Sequence, residues 1–383
     1  MRLDDVTVLD LSRLLPGPYG TQLLADMGAE VIKVEEPSTG DYARYSDPFV
    51  DGVGALFSAV NRGKKSVTVD LKAEEGTEVV LDLAEEVDVV FEQFRPGVAE
   101  RLGVGYDAVK ERNPDVVYVS LTGYGQEGPY SQRPGHDLNY VGFAGLLDMT
   151  RGSEDAAPEI PGYPIGDMSG GLFAAFATVS ALLQRELTGE GDYVDVAMTD
   201  VVLSFSQAVS AQAAAGQQPR PGATELSGGL PCYDVYECSD GEYVTLAALE
   251  PKFWTAFCDE LGLDEIADDH MAGEERREEV REIVSAKFKE RPRDEWEEML
   301  ADTEVPVGPV KTPNEALEDE QIRERGIVEQ DGPMPRVGFP ALSASERASE
   351  ETVPGMGEHN EEVLERAGYS ESEIEALHEQ GVL

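Results

Sequence analysis

Three titratable residues of this chain stand where chemistry could be done: His136 in RPGHDLNY, Asp167 in GYPIGDMSGG and Glu250 in LAALEPKFW. Of the four histidines, His359 and His378 lie in a charged C-terminal tail and His270 sits among acids in DDHMAGEE. Only His136 has Pro-Gly on one side and an apolar segment on the other. It follows a strand-like run, VVYVSLTGYG, and its loop, and ligands of open α/β sheets gather beyond the carboxyl ends of strands. An imidazole there can exchange protons with a substrate near neutral pH. It can equally be a histidine satisfied by Asp137 or by a backbone carbonyl. Asp167 precedes a long apolar helical run, as an ordinary N-cap or first-turn aspartate would. Functionally, a helix N-terminus stabilises an anion nearby. The backbone N–H groups of Met168, Ser169, Gly170 and Gly171 would serve an oxyanion, and the glycines would let a substrate approach the backbone. Glu250 ends an apolar strand, a costly place for an unpaired charge; a solvated strand-end carboxylate is the alternative.

These residues need a scaffold, and the first third of the chain describes one. VTVLDLS (6–12), VIKVEE (31–36), SVTVDL (66–71), VDVVFEQF and DVVYVSLTGYG read as strands. Helical patterns separate them, near TQLLADMG and across EGTEVVLDLAEEV. Such alternation predicts a parallel α/β sheet. The turn after the first strand, RLLPGPYG, is not G-x-G-x-x-G, so no NAD or FAD site is expected. LFAAFATVSALLQREL (172–187) predicts a long helix, and GEGDYVDVAMTD a further strand. The reading is a large α/β domain over 1–212, a linker or active-site loop over 213–230, and a small α+β domain over 231–302. Residues 303–383 return to dock on the large domain.

Composition excludes some partners. The formal net charge is -47, from 77 acidic and 30 basic residues. The acid is dispersed over helices and loops, and no basic patch offers itself to nucleic acid or to an anionic membrane. A dispersed acidic surface rich in Arg over Lys predicts a salt-adapted protein from a halophile. Cys232, Cys238 and Cys258 have neither a disulfide framework nor metal spacing and read as buried thiols. With no run of about 18 apolar residues and an N-terminus that opens directly into structure, a cytoplasmic protein without a membrane span is expected.

Taken together, the segments resemble the family III CoA-transferase superfamily, and within it the α-methylacyl-CoA racemases. The resemblance runs from VTVLDLSRLLPGPYGTQLLADMGAEVIKVE through NRGKKSVTVDLK, FRPGVAERLGVGYD, YVSLTGYGQEGP and GHDLNY to GDMSGGLFA, GDYVDVAMTD, YDVYEC and ALEPKFW. It implies a large Rossmann-like domain and a small domain in an interlocked homodimer, acting on acyl-CoA with no metal and no tightly bound cofactor. It also implies that Asp167 and His136 are the two acid/base groups of a racemase, with Glu250 orienting the histidine and Asp137 in support. In transferases of the superfamily the matching aspartate is a covalent nucleophile, and they generally lack the histidine.

Coenzyme A carries phosphates, so local cations are expected. The candidates are Arg62, Lys64 and Lys65 in NRGKKS, with Lys72, Arg95 and Arg101, the last three at positions the resemblance places near CoA. Glu36, in VEEPST, departs from the arginine that racemase relatives often carry there. The leading expectation is a 2-methylacyl-CoA racemase. The alternative is a CoA-transferase using a carboxylate such as succinate or mesaconate, with Arg44, Arg133 or Lys252 for the acceptor. Leu146, Leu147, Met149 and Met168 are candidates for an apolar acyl slot.

Overall fold

The computed structural model describes residues 2–330, 332, 334–341 and 352–383. It divides into two compact units, one of residues 1–144, 161–206 and 325–383, the other of 145–160 and 207–324. Leu146, Leu147 and Met149 thus fall with the second unit.

The first unit is built on a six-stranded sheet: β1 (Thr7–Asp10), β2 (Glu30–Glu35), β3 (Lys65–Thr68), β4 (Val89–Glu92), β5 (Val117–Thr122) and β6 (Asp192–Ala197). The order is β3-β2-β1-β4-β5-β6 and every pair is parallel. Strands buried on both faces are near-continuous apolar runs, which is why VTVLD and VVYVSL read as they do. Alternate residues serve opposite cores. Leu9, Ile32, Val67, Val90 and Tyr118 pack with helices on one face. Val8, Val31, Val89, Val117 and Val119 pack on the other, with helices α1 (Pro16–Asp26) and α3 (Ile165–Thr188). A short helix, α2 (Asp137–Phe143), lies between them in sequence.

Two boundaries differ from the sequence reading, and both matter to the site. The turn RLLPGPYG is shorter than its glycines suggest, because α1 already begins at Pro16. A proline in the first turn lacks only an N–H that would have no helical partner anyway. Helix α3 begins at Ile165 rather than near Leu172, which puts Asp167 in its first turn. Where α1 and α3 cross, a Cβ on Gly171 would stand 2.3 Å from the Pro16 carbonyl oxygen, and one on Gly20 would stand 2.8 Å from that of Gly171. These glycines let two helices touch. Helix α3 is, by length and composition alone, apolar enough to cross a membrane, but its residues divide between two faces. Ala174, Ala175, Ala181 and Leu182 are buried in the core, while Leu172, Phe176, Leu183 and Leu187 are exposed.

In the second unit β7 (Tyr233–Glu237), β8 (Tyr243–Ala247) and β9 (Val307–Pro309) form an antiparallel sheet. VPVGPV was expected to leave the small domain; it supplies this third strand instead. Trp254, Phe257, Phe288 and Trp296 fill the core, and Cys232, Cys238 and Cys258 are buried and free.

Candidate active site

The strand order reverses direction at β1 and β4, and the segments leaving both strands open a crevice at their carboxyl ends. A cleft of about 610 Å³ lies there. Arg13 and Leu14 line it from the β1 exit, Gln93 and Arg95 from the β4 exit, and Gly123 and Tyr124 from the β5 exit. His136 and Asp167 line the same cleft, as do Arg101 and Arg133.

His136 occupies the N-cap position of α2 with an extended backbone. Its own N–H donates to Asn139 Oδ1 at 3.0 Å. Its ring is exposed and sits in a capping box with Asn139 at the start of α2, rather than against the Asp137 carboxylate. The Asp137 carboxylate turns the other way. Its Oδ1 accepts the N–H of Gly166 at 2.6 Å and of Asp167 at 3.1 Å. That one oxygen caps the first turn of α3 and ties the residue after His136 to the backbone of Asp167. Tyr140 braces the arrangement from below. Its hydroxyl donates to Gly135 O at 2.7 Å, and a Cβ on Gly123 would fall 2.3 Å from its ring.

Burial, and secondly the nearby Asp137 charge, push the Asp167 carboxyl up from 3.8 to about 7. It therefore exchanges its proton near neutrality. The N–H groups expected to serve an oxyanion do not face the cleft. Met168 N–H donates to Pro164 O at 3.0 Å, and Ser169 and Gly170 lie deeper in the helix, where each N–H serves the carbonyl four residues back. Gly170 packs on Met198, whose Cγ would stand 2.5 Å from an added Cβ. What the helix end offers is the positive end of its dipole.

The expected cations separate into two sets. Arg95 and Arg101 line the cleft, exposed and in no ion pair among the described residues. Lys72 lines an adjoining cleft of about 520 Å³ over the exits of β2 and β3, which shares Arg13 and Phe94 with the first. NRGKKS does not reach either cleft. Arg62 is buried and donates to Met334 O at 2.9 Å. Lys64 is buried beneath α1, donating to Asp10 Oδ2 at 3.2 Å, Thr21 Oγ1 at 2.7 Å and Asn61 Oδ1 at 2.9 Å; burial pulls it down to about 8. Lys65 starts β3, at the amino end of the sheet, and pairs with Glu30 at 2.6 Å and Glu362 at 2.7 Å. Arg62 and Lys65 hold the fold together away from the clefts, and Lys64, although it reaches Asp10 at the end of β1, is spent beneath α1 and lines neither cleft.

Arg44 is likewise committed. It forms a buried fork with Glu35 at 2.6 and 2.7 Å. Arg133 stays available: its guanidinium lies 3.6 Å over the Tyr130 ring, with no acid partner among the described residues. In the second unit Glu250 is the exposed N-cap residue of the helix Pro251–Leu261, with no side-chain capping bond, and Lys252 rests 4.4 Å over the Phe253 ring. His270, from DDHMAGEE, is a structural histidine bonded to Ala248 O at 2.9 Å and stacked on Trp254.

Sequence reasoning missed Arg13, Leu14 and Gln93. Gln93 Oε1 accepts the N–H of Gly17 at 2.9 Å, pinning the start of α1 to the β4 exit. Leu14 takes φ +66°, rare for leucine. Its N–H is held 3.1 Å from both oxygens of Asp41, which is itself paired with the buried Lys33 at 2.9 Å. Following each strand one to three residues past its end would have found Arg13 and Gln93; nothing local announces Leu14.

Among the described residues, no cluster of three or more His, Cys, Asp or Glu is placed to hold a metal. Residues 3–360 match the model of CoA-transferase family III. The mouse succinyl-CoA:glutarate CoA-transferase is 34% identical over 396 residues, all of this chain and 90% of the relative. The human alpha-methylacyl-CoA racemase is 32% identical over 389 residues, all of this chain and 98% of the relative. A crystal structure of a CAIB/BAIF family protein from Brucella suis superposes with TM-score 0.85 at 32% identity, covering 95% of this chain and 99% of that one. Names of both reactions thus occur at like distance, and the chain belongs to CoA-transferase family III.

Proposed function

We propose that this protein racemises 2-methylacyl-CoA thioesters at carbon 2. The observation that carries the reading is that His136 and Asp167 share one cleft, an exposed imidazole and a carboxyl pushed up to about 7. Carbon 2 of a thioester is weakly acidic, and losing its proton places charge on the thioester oxygen. Neutral His136 takes the proton from one face, giving imidazolium and the enolate. Protonated Asp167 returns a proton to the other face, leaving a carboxylate and the inverted centre. The reverse direction uses the opposite protonation states. A carboxyl near 7 suits both, since neither form is scarce at neutral pH. The positive end of α3 favours the enolate. Arg95 and Arg101 hold the CoA phosphates. The exposed apolar stripe of α3 supports a homodimer that covers it, and the dispersed acid supports a salt-rich cytoplasm as the setting.

A second reading has its own support. Arg133, with no acid partner among the described residues, suits the carboxylate of an acceptor acid. In that case Asp167 attacks the thioester carbonyl carbon, CoA thiolate leaves, and a mixed anhydride forms for a CoA-transferase cycle.

One preparation decides between them. (2R)-2-Methylacyl-CoA in D2O is followed by mass spectrometry, and succinyl-CoA with a panel of carboxylates is followed for new thioesters. The racemase incorporates one deuterium at carbon 2, and His136→Ala and Asp167→Ala each cut the rate by about 100-fold or more. No exchange, with transfer lost in Asp167→Ala alone, refutes it.

A further inference from the structure

The two clefts differ in charge. The one holding Asp167 is lined by Arg13, Arg95, Arg101 and Arg133, and its acid is pushed well above the ordinary carboxylate range. In the adjoining cleft Lys33, Glu35 and Asp41 are spent in buried pairs, leaving Arg13 and Lys72 against Glu36 and Asp70. A diphosphate is drawn to the first cleft and finds no net attraction in the second.

Glu36 is the first residue beyond β2 and is fixed in place. Its Oε2 accepts the N–H and hydroxyl of Ser38 at 3.0 and 2.8 Å, and those of Thr39 at 2.8 Å each. Among the described residues its Oε1 has only the Ser38 hydroxyl, at 3.0 Å. These donors keep the carboxyl ionised, it forms no ion pair among the described residues, and Oε1 keeps an open acceptor position. In dinucleotide-binding sheets of this strand order an acid about 20 residues beyond the first turn accepts from a ribose hydroxyl, and where a phosphate must be held an arginine accommodates it; Glu36 offers the same kind of acceptor here. Resting on the reading that the clefts take a CoA thioester, we propose that Glu36 determines specificity at the nucleoside end. It accepts from a ribose hydroxyl and repels the 3′-phosphate of coenzyme A, so that this phosphate adds nothing to affinity.

The test is calorimetric titration with coenzyme A and with 3′-dephospho-coenzyme A at low ionic strength, where exposed charges are least screened. The ratio of the two dissociation constants is internal to each preparation, so the folded fraction cancels. For the wild type the ratio lies within about threefold of one, and Glu36→Arg shifts it toward coenzyme A by on the order of tenfold. Glu36→Gln shifts it the same way by less. A wild type that binds coenzyme A tenfold tighter than the dephospho form, with Glu36→Gln unchanged, overturns the role of Glu36 and leaves the CoA reading standing. A wild type that binds neither ligand overturns both.

Discussion

Asparagine at position 167 separates the electrostatics of the site from its chemistry. Asp167 keeps nearly the size of its amide analogue, and its carboxyl is pushed from 3.8 to about 7 because it is half-buried, with Asp137 nearby. A carboxyl whose folded value is raised contributes stability in its protonated form. That contribution is fully present below about pH 4 and is lost as pH rises through 7, because the folded state must then carry a charge it disfavours. At about 1.36 kcal/mol per pH unit, the distance from 3.8 to 7 corresponds to roughly 4 kcal/mol as an upper bound. Asp167→Asn carries no such charge. Wild type and variant should therefore unfold alike near pH 4, and the variant should be more stable by a few kcal/mol at pH 8, while losing catalysis. Denaturant midpoints across pH 4 to 8 measure it. The difference between the two proteins cancels the pH dependence of the other acids. A gap that is constant with pH, or a variant less stable at pH 8, would refute the assignment of the charge cost to Asp167.

Further expectations follow from the same contacts. Arg95→Ala and Arg101→Ala should each weaken CoA binding by about tenfold, less at high salt, by titration. Lys64→Ala should instead destabilise the fold by roughly 3 kcal/mol, since it strips a buried partner from Asp10, and leave the affinity of folded protein unchanged. Asp137→Ala removes the acceptor for two N–H groups of α3 and a charge beside Asp167. It should cost about 1–2 kcal/mol and lower the acidic limb of the rate profile toward the ordinary carboxylate range.

Much of this was legible because it rests on periodicity. Strands buried on both faces leave continuous apolar runs, and the six-stranded sheet follows from them. His136 was legible from its setting between a Pro-Gly turn and an apolar helix. The cations were legible only in part. Arg95 and Arg101 follow the β4 exit, but the densest basic run, NRGKKS, turns inward because buried Asp10 needs Lys64 and Glu30 needs Lys65. Local sequence records a charge without its partner. The glycines after Asp167 misled for a similar reason, since a helix crossing and a ligand's approach demand the same absence of a side chain. Leu14 was invisible, as its backbone is imposed by Asp41, 27 residues away.

The contrast between an arginine-lined cleft and a surface of net charge -47 has a kinetic consequence. At long range an anionic thioester meets repulsion; only within a few ångströms of the cleft does it meet attraction. Salt screens the far field first, because screening grows with distance. Added salt should therefore speed encounter while also shortening residence, so that association and dissociation rates rise together. For most enzymes with anionic substrates, steering makes encounter fall with salt. Here the dilute buffer that tightens the complex would be the one in which it forms most slowly.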